Sequence, residues 1–308
     1  MSKLTIIMYH YVRPIAQSNF PGIKGLEFDS FKSQLDYLEE NYTIVSTEEV
    51  ISAVLSDKRL PTNACWLTFD DGYKDHYKYV LPELLKREIT AAFFPPVSAI
   101  LQNDILDVNS IHYILSSASN AKKLVSELNK ECLRFGFSED QILSNYRNYA
   151  VRNRFDNPDI NYFKRMLQHV LPEYMRREIV SGLFQKYVSF DKSAFAKDLY
   201  MNISELRELI DRGMFIGSHG NLHYWLNQLD YNDQKKDISD SLEFLEEVGG
   251  KTHNWIMCYP YGAYNKNTIS ILKELGAIIG LTTNVGVADL QRNDPMTLPR
   301  MDTKDFPT

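Results

Sequence analysis

Cys65-Trp66-Leu67-Thr68-Phe69-Asp70-Asp71-Gly72-Tyr73 is the stretch on which the reading of the fold turns. Its apolar half has the length of a buried strand, and it runs straight into two carboxylates and a glycine. The same rhythm, an apolar strand ending in a polar cluster and then a helical pattern, recurs on both sides. Upstream, residues 4–9 read as a strand ending at His10. A helix capped by Asp29 or Ser30 follows, with Phe31, Leu35 and Leu38 on one face, and then a second helix over 48–55. Downstream, a helix over about 74–86 leads to a strand at 91–94, stopped by Pro95-Pro96.

The last third repeats the pattern. Asn202 and Glu205 form a capping box for a helix carrying Leu206, Leu209 and Ile210 and stopped by Gly213. Strands at 214–217, 255–259 and 278–283 alternate with helices at 233–248 and 267–275. Alternation of this kind predicts a parallel sheet or barrel, in which chemistry gathers where strands end. Residues 98–200 break the rhythm. They show almost no strand signal, are rich in Lys, Arg and Tyr, and carry helical patterns at 121–134, 162–171 and 173–187. They are read as a helical insertion in one βα loop, with an independent helical domain as the alternative.

The 308 residues carry 34 Lys+Arg against 40 Asp+Glu, a formal charge of −6. That length allows one large or two ordinary domains with a core that needs no disulfides. The acidic balance argues against a nucleic-acid partner, since phosphate binding wants a basic face. Cys65, Cys132 and Cys258 are scattered and odd in number, which suits a reducing compartment. No leader peptide and no membrane span is legible, so the expected location is cytoplasmic, with peripheral membrane contact left open.

Three clusters could carry chemistry. Asp70 and Asp71 repel each other unless a cation sits beside them, so one can ligate a metal while the other faces a substrate. Alone, the stretch is also a turn with helix-capping aspartates. Ser218-His219-Gly220-Asn221-Leu222-His223 places two imidazoles four residues apart, on one side if the segment is helical. Alone, they are also a pair of solvated loop histidines. Together, one carboxylate and two imidazoles leave metal positions open for water and substrate, and the other aspartate is free to act as a base. The third cluster, Cys258-Tyr259-Pro260-Tyr261-Gly262-Ala263-Tyr264-Asn265, combines a rigid proline with aromatic rings suited to sugar faces. A fixed N–H there can stabilise an oxyanion.

Met8-Tyr9-His10, Thr68-Phe69-Asp70-Asp71-Gly72-Tyr73, Ser218 to His223, Tyr259 to Asn265 and the closing Leu298-Pro299-Arg300 occur in the order that resembles the polysaccharide deacetylase family, the NodB homology domain. The resemblance covers roughly residues 3–100 and 200–303. It implies a distorted (β/α) barrel over residues 1–97 and 201–308, with a large helical insertion at 98–200. The implied activity is metal-dependent removal of N-acetyl groups from sugars. By position, Asp70 resembles the base, Asp71, His219 and His223 resemble the metal ligands, and the N–H of Tyr261 resembles the oxyanion donor. The metal implied is zinc, with cobalt or nickel as alternatives.

Three departures stand out. Gly220 replaces the Ser or Thr that often follows the first ligand histidine. Cys258 stands where many members carry the arginine that orients the base, and Arg300 is the candidate replacement. No histidine follows His253, so the late general acid is absent and His10 is the candidate in its place. An N-formyl substrate, a non-catalytic glycan-binding barrel and a two-histidine, one-carboxylate iron site are the competing readings. The expected partner is an N-acetylated sugar or glycan.

Overall fold

The computed structural model describes residues 3–308 except 57, 103 and 119. The chain divides into two compact units. The first comprises Met1–Pro14, Gly25–Asp104 and Ala196–Thr308, and the second comprises Ile15–Lys24 and Ile105–Phe195.

Seven parallel strands form the main path of a nine-stranded sheet in the first unit: β1 (Lys3–Tyr9), β2 (Ala64–Asp70), β3 (Ala92–Phe94), β4 (Phe215–Ile216), β5 (Trp255–Cys258), β6 (Ala277–Val285) and β7 (Leu298–Asp302). Their hydrogen-bonded order is β4-β3-β2-β1-β7-β6-β5. Ser218, just past β4, forms a parallel bridge to Met257 of β5. Ser218 N donates to Ile256 O at 3.0 Å, and Cys258 N donates to Ser218 O at 2.9 Å. The ring therefore closes in chain order as a distorted (β/α) barrel. One short contact makes the closure because β4 has only two residues.

Side-chain alternation sorts the strands into two layers. Leu4, Ile6, Trp66, Ala92, Phe94, Phe215, Ile256, Ile279, Leu281 and Leu298 form one buried cluster, the filled interior of the ring. Ile7, Tyr9, Leu67, Phe69, Phe93 and Ile216 point the other way, into a layer shared with Phe31, Leu35, Leu84, Leu206 and Leu245 of the surrounding helices. Trp66 and Thr68 continue the inward-facing alternation along β2, and Asp70, at its end, belongs to that set.

The helices follow the sequence pattern with local differences. Phe28–Asn41 buries Phe31, Leu35 and Leu38, but its N-cap is Glu27 rather than Asp29 or Ser30. Asn202 and Glu205 do form the capping box of Ile203–Asp211. The single helix expected over 74–86 is a π-helical turn, His76–Val80, followed by Leu81–Lys86. Insertions of this kind recur beside functional sites.

The second unit contains no strand among its described residues. Its helices include Asp107–Ser117, Ala121–Arg134, Glu139–Tyr149, Pro158–Arg165 and Glu173–Tyr187. They bury Ile111, Tyr113, Leu128, Tyr162, Met166 and Phe184. Its bounds start later and end earlier than the 98–200 read from the sequence, and they take in Ile15–Lys24. Phe20 sets its ring edge-on to Tyr113 and Phe195, and Lys24 Nζ reaches Asp156 Oδ1 at 2.5 Å. Contacts across such sequence distances leave no local pattern to read. No helix among the described residues is long and apolar enough to cross a membrane.

Candidate metal centre and catalytic site

Three neighbouring strand ends meet at Asp70. It ends β2, His10 follows β1, and Arg300 lies on β7, on the far side of β1. Arg300 is 1% exposed and places its guanidinium across the intervening strand. Its Nη1 and Nη2 donate to Asp70 Oδ1 and Oδ2 at 2.9 and 2.8 Å. Its Nε donates to Thr282 O at 2.9 Å, and Nη1 also meets Thr68 Oγ1 at 3.2 Å. Such a fork holds a carboxylate in one orientation. Burial alone would raise the Asp70 pKa, but the charge of Arg300, then that of His219, and the Arg300 hydrogen bonds outweigh it and hold the group at about 2. His10 Nε2 stands 3.9 Å from Asp70 Oδ2, with its side chain 41% exposed.

Asp71 leaves the strand with φ 71°. That left-handed step turns its side chain away from the direction of Asp70 and into the loop after β4. His219 Nε2 and His223 Nε2 both lie 3.3 Å from Asp71 Oδ1. Residues 217–225 are not helical, which corrects the expectation of a shared helix face. The two imidazoles converge because Gly220 and His223 take φ 71° and 54° and fold the segment back. A Cβ on Gly220 would fall 2.7 Å from Asp237 Oδ2, so the Ser or Thr common at this position has no room. Asp237 instead accepts from the N–H groups of Asn221 and Leu222 at 3.0 and 2.9 Å. Nothing in the amphipathic pattern of its helix marked Asp237 as a brace for this turn.

Supporting hydrogen bonds orient His219 and Asp71 as a metal centre needs. His219 Nδ1 lies 2.7 Å from Cys258 O. A carbonyl only accepts, so Nδ1 carries a proton, which leaves Nε2 as the nitrogen that would bind an ion. Tyr73 O–H donates to Asp71 Oδ2 at 2.5 Å. Asp71 Oδ1 is buried and has no hydrogen-bond partner among the described residues. An orphaned carboxylate oxygen facing two imidazole nitrogens is costly for the protein alone and fits a divalent cation. Asp71, His219 and His223 keep their donor atoms within 4.8 Å of one another.

Asp70, His219 and Cys258 also gather three donor atoms within that distance. Both oxygens of Asp70 are already held by Arg300, and burial pushes the Cys258 thiol up, away from the thiolate a metal requires. The first group is the better metal site on both counts.

Tyr261 sits in the turn after β5 with φ 59°. Its ring meets His223 edge-on, with centroids 4.8 Å apart, and stacks on Trp225 at 4.8 Å and 17°. Trp225 extends the aromatic wall beside the imidazoles. It escaped the sequence reading because a lone aromatic two residues beyond a histidine carries no signal. His76 escaped for the same reason. It is fully buried on the π-helical turn, and its Nε2–H donates to His10 O at 2.8 Å. Burial drops its pKa to about 4, so it holds the loop of His10 as a neutral ring.

This arrangement can be compared with known proteins. The barrel is shared with the Streptococcus pyogenes deacetylase PplD, at TM-score 0.58 and 20% identity over 97% of this chain and 92% of that one. It is shared equally with IcaB from Ammonifex degensii, at TM-score 0.57 and 19% identity over 98% and 91%. At these identities the likeness is one of fold. The Bacillus subtilis (strain 168) protein YxkH, assigned to the polysaccharide deacetylases, is 33% identical over 94 residues, 30% of this chain and 32% of that protein. The family model described as polysaccharide deacetylase matches residues 57–132 and 188–279, more than half of the chain, and takes in β2 with Asp70 and Asp71, the histidine loop and the turn of Tyr261. Matched over that span, and folded as the barrel its deacetylase neighbours share, the chain belongs to the polysaccharide deacetylase family.

Proposed function

We propose that the protein is a metal-dependent hydrolase that removes an N-acetyl group from an amino sugar, in a polysaccharide or in its nucleotide- or lipid-linked precursor. One observation carries the reading. A carboxylate locked by Arg300 lies beside a second carboxylate whose free oxygen faces two imidazoles.

Asp71, His219 and His223 would hold the ion. A divalent ion bound there, zinc or else cobalt or nickel, supplies Lewis acidity and a water of lowered pKa. Asp70 is the base. It is ionised throughout the neutral range, and the Arg300 fork keeps one face of its carboxylate fixed while a water proton is taken on the other. His10, near Asp70 and partly open to solvent, is positioned to deliver a proton to the departing amine. The N–H of Tyr261, at a left-handed turn, would be the oxyanion donor, and loss of one such donor typically costs about 3–4 kcal/mol of barrier. Water and the amide become acetate and a free amino sugar.

Elemental analysis is the first test, because it needs no knowledge of the sugar. About one divalent ion per chain in the wild type, lost in His219→Ala and His223→Ala, is the expected result. N-acetylated oligosaccharides are then assayed for acetate. Formate from an N-formyl sugar, with no acetate, would move the assignment to a deformylase. No ion after reconstitution would sink the hydrolase reading and favour a glycan-binding barrel.

A further inference from the structure

The second unit presents a combination that the hydrolase reading does not use. Between the helices Glu139–Tyr149 and Pro158–Arg165 runs Ala150-Val151-Arg152-Asn153-Arg154-Phe155-Asp156-Asn157. Residues 151–155 are all exposed, with Val151 at 61% and Phe155 at 39%. Arg147 is exposed on the last turn of the preceding helix. The guanidinium of Arg154 lies 4.8 Å from the centroid of the Phe155 ring, so a cation and an apolar face are presented together.

The loop is built rather than loose. Asn153 Oδ1 accepts from the N–H groups of Phe155 and Asp156 at 2.8 and 2.7 Å, and Asn153 Nδ2 donates to Asn161 Oδ1 at 2.9 Å. Asn161 Nδ2 in turn donates to Val151 O at 2.7 Å. Asp156, buried, anchors the base through Lys24 at 2.5 Å and Lys164 at 2.7 Å. These bonds pin the backbone at Val151, Phe155 and Asp156, and Val151 and Phe155 stay exposed, the reverse of what burial of apolar surface favours.

Charge points to the partner. The second unit carries 14 Lys+Arg against 10 Asp+Glu, while the rest of the chain carries 20 against 30. The cationic excess of an acidic protein is therefore confined to the unit that holds this loop. We propose that the loop 150–157 docks the protein on an anionic lipid surface, with Arg147, Arg152 and Arg154 at the headgroups and Val151 and Phe155 entering the boundary below them. A polyanion would satisfy the arginines equally and give the apolar tips nothing to enter, so the lipid is the occupant that uses both. The proposal goes beyond the hydrolase reading, since vesicle binding requires neither ion nor substrate and the two can fail separately.

The test is sedimentation of the full chain with vesicles of phosphatidylcholine, with and without phosphatidylglycerol, at low and high salt. Binding that needs the anionic lipid and weakens with salt is expected. Arg152→Ala with Arg154→Ala should lower binding about 25-fold, roughly five-fold per cation. Val151→Ser with Phe155→Ser should lower it about ten-fold, with both double variants unfolding at the wild-type temperature. Equal binding to neutral vesicles, or none to anionic ones, would overturn the proposal. So would a Val151→Ser, Phe155→Ser protein that binds like wild type while the arginine variant does not, the signature of a polyanion site.

Discussion

Two regions of the site segment bury an aspartate against an arginine and end with opposite affinities for a proton. At the end of β2, Asp70 receives both amino groups of Arg300, whose side chain is wholly enclosed. Five residues on, Asp75 meets Arg13 Nε at 2.5 Å, from a side chain that remains 16% exposed, and the backbone N–H of Val12. Burial raises both carboxyls. At Asp70 the arginine wins and the group sits at about 2; at Asp75 burial wins and the group rises to about 6. The difference lies in the geometry of the partner. A fork closed off from water acts through a low dielectric on both oxygens, while the partly open Arg13 contact and the Val12 N–H do not offset the desolvation of Asp75. The enclosed pair lies next to Asp71 and its two histidines, and the more open pair lies five residues on.

The comparison is broken most severely by Asp70→Asn. If Asp70 is the base as proposed, its loss should lower acetate release by about 10²–10⁴-fold while metal content stays at the wild-type level. Wild-type turnover in this variant would show that the enclosed carboxylate has no part in proton transfer. Next comes Arg300→Met, which strands a buried charge and should cost about 3–5 kcal/mol in urea unfolding. Combining it with Asp70→Asn should restore much of that stability. A double variant as unstable as the sum of the singles would mean that Arg300 acts through Thr282 and packing instead.

Asp75 gives a smaller effect of opposite sign. Its folded-state pKa lies above the ordinary carboxylate value of 3.8. Its contribution to stability is therefore complete below that value and is lost as pH rises through about 6, an effect of up to about 3 kcal/mol. Unfolding midpoints across that window should fall with pH in the wild type and stay level in Asp75→Asn. An unchanged slope in the variant would transfer the effect to another group. The mildest change is Tyr73→Phe, which removes the hydrogen bond to Asp71 Oδ2. Metal affinity should drop about 10–100-fold with the fold intact, measured by competition with a chelator. Unaltered affinity would separate Tyr73 from the ion.

Much of this was legible in residue order. The strands and polar clusters sit close to where periodicity placed them, and Asp70 and Asp71 taken together with His219 and His223 pointed to a cation before any geometry was known. What could not be read had physical reasons. The histidine spacing suggested a helix because four residues make about one helical turn. The loop reaches the same convergence through two left-handed residues, which Gly220 signals only in part. Asp237 and His76 look like ordinary members of helical segments, and only their neighbours in space give them a task.

Sequence alone determined the family, the alternation of strand and helix, and the residue types at the strand ends. Each of these is local, carried by side-chain period, turn chemistry and short motifs. Tertiary structure decided which carboxylate is charge-paired and which oxygen is left open. It decided that Arg300, 230 residues from Asp70, holds both oxygens of that carboxylate. It closed the ring through Ser218 and gathered Ile15–Lys24 into the helical unit. Those outcomes depend on chain segments meeting across sequence distance, and burial and hydrogen bonding select among such meetings only once the whole chain has folded.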